Sequence, residues 1–544
     1  MTDAEWLEKV NSKFNSMSGL HTRMDTDKDL IWNSPYVMPT LTGKGVEPDM
    51  SNVTLPIGQL YAEAALSNLI SVSRQTVVES KELKDRATSK IEECIDDIGF
   101  EIDNRLCELG ENDEYSMLVD YICSRGSAAE MSLIRVEKDK FIADARPIDT
   151  RWFSWESGAD GLAWAAPMYE RSKGDIESEF NITIKDETAK VIDLWTPKEN
   201  KTWVADKLER NNPNVYGFVP IVFQGVSTGS SLKEKNSIQY KWESIFHSNR
   251  DLFQEANFIA SILKTKNYGA KRPPLQSPNP PGQTRQSLPE KYPAPGEIVS
   301  VETALQQIDT GDLKNYTIKY QEIITQLLNQ TTFNSIDLGN IEFPLSGTAL
   351  MALGEKRGKL QLPRLNALAM LLRRSRMMQL KQIALLGQKI KIGEPGYQRE
   401  YLPSDLEGSF TIKYRFYSLS SSDLAANVAL ANSMGNLVSE DYKRREVLKL
   451  QDPDGEKMKQ RAEMAENIDP VIGLIDQGLA LIDEDSDESD IKARRIKDKI
   501  IGILKQEHLA ETQPLKQDIE RGSNLKQNPT QALPLFGGTQ KAGM

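Results

Sequence analysis

The run from Asn236 to Gln388 constrains the fold more than any other part of the chain. From Ile238 to Lys266 the apolar residues Trp242, Ile245, Phe246, Leu252, Phe253, Ala256, Ile259, Ala260 and Leu263 recur every three to four positions, the spacing of one helix face. Such a helix would be roughly 40 Å long. Gly269 stops it. Between Pro273 and Pro295 repeated prolines remove backbone donors and fix φ, which excludes a helix or a central strand. Ile298 to Val301 then reads as a short strand. The helical stripe returns from Leu313 to Thr332 through Leu313, Tyr316, Tyr320, Ile323, Ile324, Leu327 and Leu328. Phe333 to Leu345 has no helical period. Ser346 can cap a third helix, Gly347 to Leu386, in which Pro363 predicts a kink. Helix, proline-rich excursion, helix, short loop and long helix form an architectural signal: two helices holding a projecting knob. By periodicity alone the pattern also fits a core hairpin carrying a surface loop.

The third helix is one-sidedly basic. Lys356, Arg357, Lys359, Arg364, Arg373, Arg374, Arg376, Lys381, Lys389 and Lys391 fall in a span with no Asp or Glu, whereas the 544-residue chain has a formal charge of -12. Leu365, Leu368, Leu372 and Ile383 would dock this helix in an interior. Its cations then need acidic surfaces or DNA phosphates, and neighbouring subunits are the favoured partner. A plain solvated face is the bland reading.

The length allows two to four domains. No apolar run reaches the roughly 18 residues of a membrane span, and MTDAEWLEKV lacks a signal pattern, so a cytosol-like compartment is expected. Residues 1–55 read as irregular. Pro56 to Ile70 and Glu82 to Leu109 read as helices. Short strands are expected at Met131–Glu137, Phe141–Ala145, Trp152–Trp155, Trp164–Met168, Lys190–Trp195, Thr202–Ala205 and Gly217–Phe223, a β-rich region. Phe410 to Tyr417 reads as a strand returning to that region. Further helices are expected from Ser421 or Ser422 to Gly435, Ser439 to Leu450, Val471 to Ile482 and Ile491 to His508. From Gln513 onward the composition is that of a disordered tail.

Chemistry is sparse. Cys94, Cys107 and Cys123 form no CxxC pair and read as buried free thiols, and His21, His247 and His508 are too scattered for a zinc pattern. Gly225 to Ser230 lacks the lysine of a phosphate loop. Asp483 to Asp490, with six carboxylates in eight residues, reads as a solvated linker. Trp152, Phe153 and Trp155 read as core or interface. No enzyme, cofactor or metal is expected. A nucleic-acid enzyme with carboxylates brought together only by folding is the weakest alternative.

Five segments together resemble the portal proteins of tailed bacteriophages: Arg125 to Lys138 (RGSAAEMSLIRVEK), Val215 to Phe223 (VYGFVPIVF), His247 to Leu263 (HSNRDLFQEANFIASIL), Pro344 to Leu368 (PLSGTALMALGEKRGKLQLPRLNAL) and Ala431 to Glu463. The resemblance implies an α+β portal fold with a β-rich wing, a two-helix stem, a small clip and an α-helical crown. Residues 1–235 would be the N-terminal region and wing, 236–267 the first stem helix, 268–312 the clip and 313–332 the second stem helix. Residues 333–345 would be the tunnel loop, 346–421 the long wing helix and return strand, 422–512 the crown and 513–544 the tail.

The resemblance also implies a homo-dodecameric ring at one capsid vertex, in the virion and, during assembly, in the host cytoplasm. Double-stranded DNA would pass through it without sequence preference, with no membrane involved. The partners would be the major capsid protein, the terminase large subunit and then a neck or tail adaptor protein. Asn334, Ser335, Ile336, Asp337, Leu338, Gly339 and Asn340 would face DNA in the tunnel loop, with Lys264, Lys266, Lys314 and Lys319 as channel lysines. Lys271, Arg272, Arg285, Lys291 and Tyr292 would serve clip docking. Arg364, Arg373, Arg374 and Arg376 would serve the subunit interface. The compact, proline-rich clip departs from the family pattern. Another virion protein, a neck or scaffold adaptor, is the second reading.

Overall fold

The structure, a computed structural model, describes residues 1–40, 45–47, 50–138, 140–159, 161–271, 275–278, 298–301, 313–332, 347–417, 421–448, 450, 455–457, 459–460, 464, 471, 474–475 and 487–512. For 85, 269–271, 275–278, 298–301, 313–316, 347–360, 417, 421–426, 436, 441, 487–491, 493 and 506–512 it describes the backbone only. The chain divides into two units, Met1–Gly455 and Glu456–Met544. It mixes helix and sheet, as an α+β chain does.

The first unit begins with two helices where irregular chain was expected: α1 (Asp3–Ser16) and α2 (Ser18–Ile31). The local signal is present. Thr2 accepts from the Glu5 backbone while the Glu5 carboxylate accepts from Thr2, a capping box. Helix α3 (Ile57–Ile70) starts after Pro56. Strand β1 (Ser73–Glu79) leads to α4 (Asp85–Glu108) and α5 (Glu114–Ser124).

Strands β2 (Ser127–Glu137), β3 (Lys140–Ile148), β4 (Phe153–Ser157) and β5 (Leu162–Ser172) precede the short helix α6 (Lys173–Phe180). Strands β6 (Thr188–Trp195), β7 (Glu199–Val204), β8 (Lys207–Pro213) and β9 (Ile221–Gly225) follow. They form two antiparallel sheets, ordered β3-β2-β9 and β4-β5-β6-β7-β8. All seven expected strands are present with shifted ends. Strand β8 was not foreseen, because its charged and Asn-rich sequence has a weak strand signature.

Helix α7 (Arg250–Lys271) is followed by β10 (Leu275–Pro278), β11 (Ile298–Val301), α8 (Leu313–Thr331) and the 40-residue α9 (Gly347–Leu386). Strands β10 and β11 pair in parallel. Helix α9 continues through Pro363. After β12 (Ile390–Ile392) and β13 (Arg399–Tyr401), strand β14 (Thr411–Tyr417) pairs with β1 over its full length. The return strand therefore joins a separate two-stranded sheet and not the β-rich region. The partner differs from the expected one because β1, with only Val77 and Val78 apolar among its seven residues, has a weak strand signature.

Helix α10 (Ser421–Ser433) precedes a turn of helix at Glu440–Tyr442, where the Ser439 hydroxyl accepts from the Tyr442 backbone, and a π-helical turn at Lys443–Val447. In the second unit, helix Asp487–Thr512 starts inside the acidic run.

The largest core cluster gathers α3, α5, α7, α8 and α9 over β2 and β9, with Leu69, Val119, Phe246, Leu368 and Leu372 fully buried. A second lies between α4, the end of α9 and strands β3 and β12 to β14. Phe153 and Trp155 stack in a third, whereas Trp152 is exposed against Phe14 and Arg151. Cys94 and Cys123 are buried; Cys107 is exposed, correcting the expectation that all three are interior.

Candidate functional site

The hairpin of α7 and α8 and the way its base is held form the most distinctive site. The two helices run antiparallel: the Asn249 side chain donates to the Thr331 carbonyl at 3.3 Å, and the Tyr320 hydroxyl to Glu255 at 2.9 Å. Ile259, Ile324 and Leu328 are buried in the core that the hairpin shares.

Helix α7 starts at Arg250, not at Ile238. Ser237–Tyr240 is a 3-10 turn, and Trp242 has φ 53°. The backbone amides that a helix would need are used elsewhere: Glu243 N donates to Thr228 O and Ile245 N to Cys123 O, both at 3.0 Å. Trp242, Ile245 and Phe246 keep helical spacing but enter the core from a folded-back loop. That loop lies so close to Gly126 that a Cβ there would stand 1.9 Å from the Trp242 carbonyl. The helix is thus about 33 Å long rather than 40 Å.

The base is an electrically balanced cluster of four buried or nearly buried side chains. Arg250 clamps Asp27 with Nε at 2.5 Å and Nη2 at 3.0 Å, and reaches Glu243 at 2.9 Å. Arg23 sits 3.2 Å from Glu243 and donates to the Gln239, Lys241 and Trp242 carbonyls. The Ser244 hydroxyl completes Asp27 at 2.8 Å. Burial pulls the Arg23 guanidinium below its ordinary range despite its acidic neighbours, while Asp27 and Glu243 hold Arg250 above its own, outweighing burial. This cluster fastens α2 to the start of α7.

A strap runs along the polar side of α7. Backbone amides of Leu55, Val53 and Ser51 donate to Asn257 Oδ1, Ser261 Oγ and Thr265 Oγ1 at 2.8, 2.9 and 2.9 Å. Four helical residues advance about 6 Å and two extended residues about 6.6 Å, so alternate amides meet every fourth side chain. The strap is itself backed by residues 36–38, through Tyr36 N to Thr54 Oγ1 and Met38 N to Asn52 Oδ1. Sequence reading missed it; the only trace is Asn, Ser and Thr at i, i+4 and i+8 on an apolar helix. Asp27, Arg23 and Glu243 were missed because folding alone brings them together.

Of the expected channel lysines, Lys264, Lys266 and Lys319 are exposed on the hairpin; Lys314 is in α8, with its side chain outside the described residues. Helix α8 also exposes Ile318, Tyr320, Ile323 and Leu327, four large apolar residues. The tunnel-loop residues Asn334, Ser335, Ile336, Asp337, Leu338, Gly339 and Asn340 lie outside the described residues, as do Arg272, Arg285, Lys291, Tyr292 and the Ser346 cap. Lys271 ends α7.

The four arginines of α9 do not act alike. Arg373 is exposed, and Arg374 is exposed with its guanidinium on the Phe223 carbonyl at 2.9 Å. Arg364 is buried, and its charge reaches Tyr61 and Cys123. Arg376, expected at a subunit interface, is buried in its own chain and forks onto Glu114, with Gln379 at 2.9 Å. The acidic partner it needed comes from α5. Beside it, Ser375 donates to the buried Glu130 at 2.5 Å, and Gln379 to Ser132 at 3.0 Å. Burial, then the Glu114 charge, push the Glu130 carboxyl well above the usual range. Gln382 accepts from Ile134 N and donates to Ser132 O, both at 2.8 Å, so its amide continues the β2 ladder beyond the end of β9.

Among the described residues no three His, Cys, Asp or Glu side chains converge as a metal site requires, and no helix is long and apolar enough to cross a membrane. A scan against protein-family models finds no match to the chain, and a search of curated proteins finds none either.

Proposed function

We propose that the chain is the subunit of a portal ring, a closed assembly of copies at one capsid vertex through which double-stranded DNA is packaged and ejected. In this reading the α7–α8 hairpin is the stem, the segment between the two helices docks the terminase and then an adaptor, and the segment between α8 and α9 lines the tunnel.

One observation carries the reading beyond the resemblance. Helix α8 buries Ile324 and Leu328 against its own chain but leaves Tyr320, Ile323 and Leu327 exposed at i, i+3 and i+7. A helix with a second apolar stripe is suited to packing against another helix on that side. In a ring the neighbouring hairpin supplies it, and each subunit uses two different surfaces in a head-to-tail contact that closes on itself.

Rotational averaging of negatively stained, purified protein tests this directly. Closed rings are expected, and Ile323→Asp with Leu327→Asp should leave folded, dissociated subunits. Protein that sediments only as a monomer under every condition, with no rings visible, overturns the proposal.

A further inference from the structure

A groove lined in part by α9 carries a separate inference. It runs between β9 and α9 and has a volume of about 570 Å³. Its floor is apolar: Leu162, Phe218, Ile221, Met370, Met377 and Met378. Its rim is cationic, formed by Arg373, Arg374 and Lys381, and no carboxylate among the described residues lines it. Met370 is 57% exposed, unusual for so large an apolar side chain beside three cations. Among the described residues neither Arg373 nor Lys381 lies within ion-pair distance of an acid, although the chain is acidic overall.

Strand β9 ends its sheet and pairs with β2 alone. On its outer side the Phe223 carbonyl is taken by Arg374 and the Gly225 carbonyl by the Gln224 amide, so that edge is capped by side chains and the groove beside it is what stays open. A segment lying in the groove can set its carboxylates against the cationic rim while the apolar floor selects its side chains. Methionines suit such a floor because they repack around differently shaped guests.

We propose that this groove docks an extended acidic segment of another protein, with an apolar residue seated on Met370, Met377 and Met378 and its carboxylates on Arg373 and Lys381. A nucleic acid is the poorer occupant. Phosphates would meet the cations, but a duplex gives the apolar floor nothing to bind. The inference goes beyond the portal reading and does not depend on it.

The test is fluorescence anisotropy with the full-length protein and a labelled peptide alternating Glu with Leu. Its Gln-for-Glu counterpart and a duplex oligonucleotide serve as competitors. Saturable binding of the acidic peptide is expected. Losing two ionic contacts through R373E with K381E should weaken it by about tenfold or more. M370D should weaken it as well, while Arg373→Lys should leave it within about threefold. Arg373, Lys381 and Met370 are exposed, so unchanged thermal unfolding is expected in these variants.

Three outcomes overturn the proposal. The charge-reversed protein binds the peptide as the parent does. The duplex displaces the peptide at equal affinity through the same side chains. Charge reversal alters self-association but not peptide binding, which would make the groove a contact between copies. Because the readout is peptide affinity, its failure is distinguishable from an absence of rings.

Discussion

Asp27 is the residue on which the hairpin base turns. It is 1% exposed and receives Arg250 through both carboxylate oxygens. Replacing it with Asn leaves a guanidinium beside a neutral amide, and losing one partner of such a buried pair costs roughly 3 kcal/mol or more. Urea unfolding of Asp27→Asn should show that loss, while the conservative Arg250→Lys should lose the fork and retain part of the attraction. His21 is a second sensitive position. It is buried against Phe14, with centroids 4.4 Å apart, and its Nε2 has no hydrogen-bond partner. Burial, then Arg151, lower its pKa from 6.5 to about 4. The folded chain therefore keeps His21 neutral where the unfolded chain takes up a proton. Its stabilising contribution is complete above pH 6.5 and is lost as pH falls towards 4, at up to about 1.4 kcal/mol per pH unit. Unfolding midpoints of His21→Phe should be flatter across that window than those of the parent. Glu130 has the opposite sign: its raised carboxyl favours the folded state at low pH, and the contribution is lost as pH rises through the raised value. Glu130→Gln, which mimics the protonated acid, should be tolerated at neutral pH and should remove that loss.

At the scale of elements, the strap along α7 is the part most readily tested. Ser261 is fully buried and satisfies the Val53 amide. Ser261→Ala orphans that donor, at a cost of about 1–3 kcal/mol. Amide hydrogen exchange at 51–55 should accelerate before the rest of the fold responds; uniform acceleration would mean that the strap is not a separate unit. Several elements were legible in the sequence. Leu313–Thr331 and Gly347–Leu386 have the expected starts and nearly the expected ends, because helical periodicity and capping act locally. The start of α7 was not legible. Trp242, Ile245 and Phe246 are apolar at helical intervals, yet their spacing serves a loop whose path is set by Gly126 and by hydrogen bonds to Thr228 and Cys123. The helices α1 and α2 went unread although the Thr2–Glu5 box announces the first of them.

For the whole molecule, the prediction concerns what the hairpin supports. If the chain is the portal subunit proposed above, deleting Ser335–Glu342 should leave rings and thermal stability intact while impairing DNA packaging or ejection in a reconstituted particle. Loss of rings on deletion would instead assign that segment to assembly. The exposed stripe Tyr320, Ile323 and Leu327 belongs to the same scale. Such a stripe suits contact with another surface, and in the proposed ring that surface is a second copy.

By itself the sequence determined the helix–excursion–helix–loop–helix order, the β-rich region and the absence of a recognisable catalytic motif, since these follow from local spacing and residue type. The tertiary structure decided where the charges go. Arg376, in a helix without acids over the 356–391 span, finds Glu114 across 262 positions of sequence, and Arg250 finds Asp27 across 223. It also decided that β14 pairs with β1 and that an extended strap lies on α7. A buried charge or amide must be matched by whatever group the fold brings within about 3 Å, and that group need have no neighbour relation in the chain.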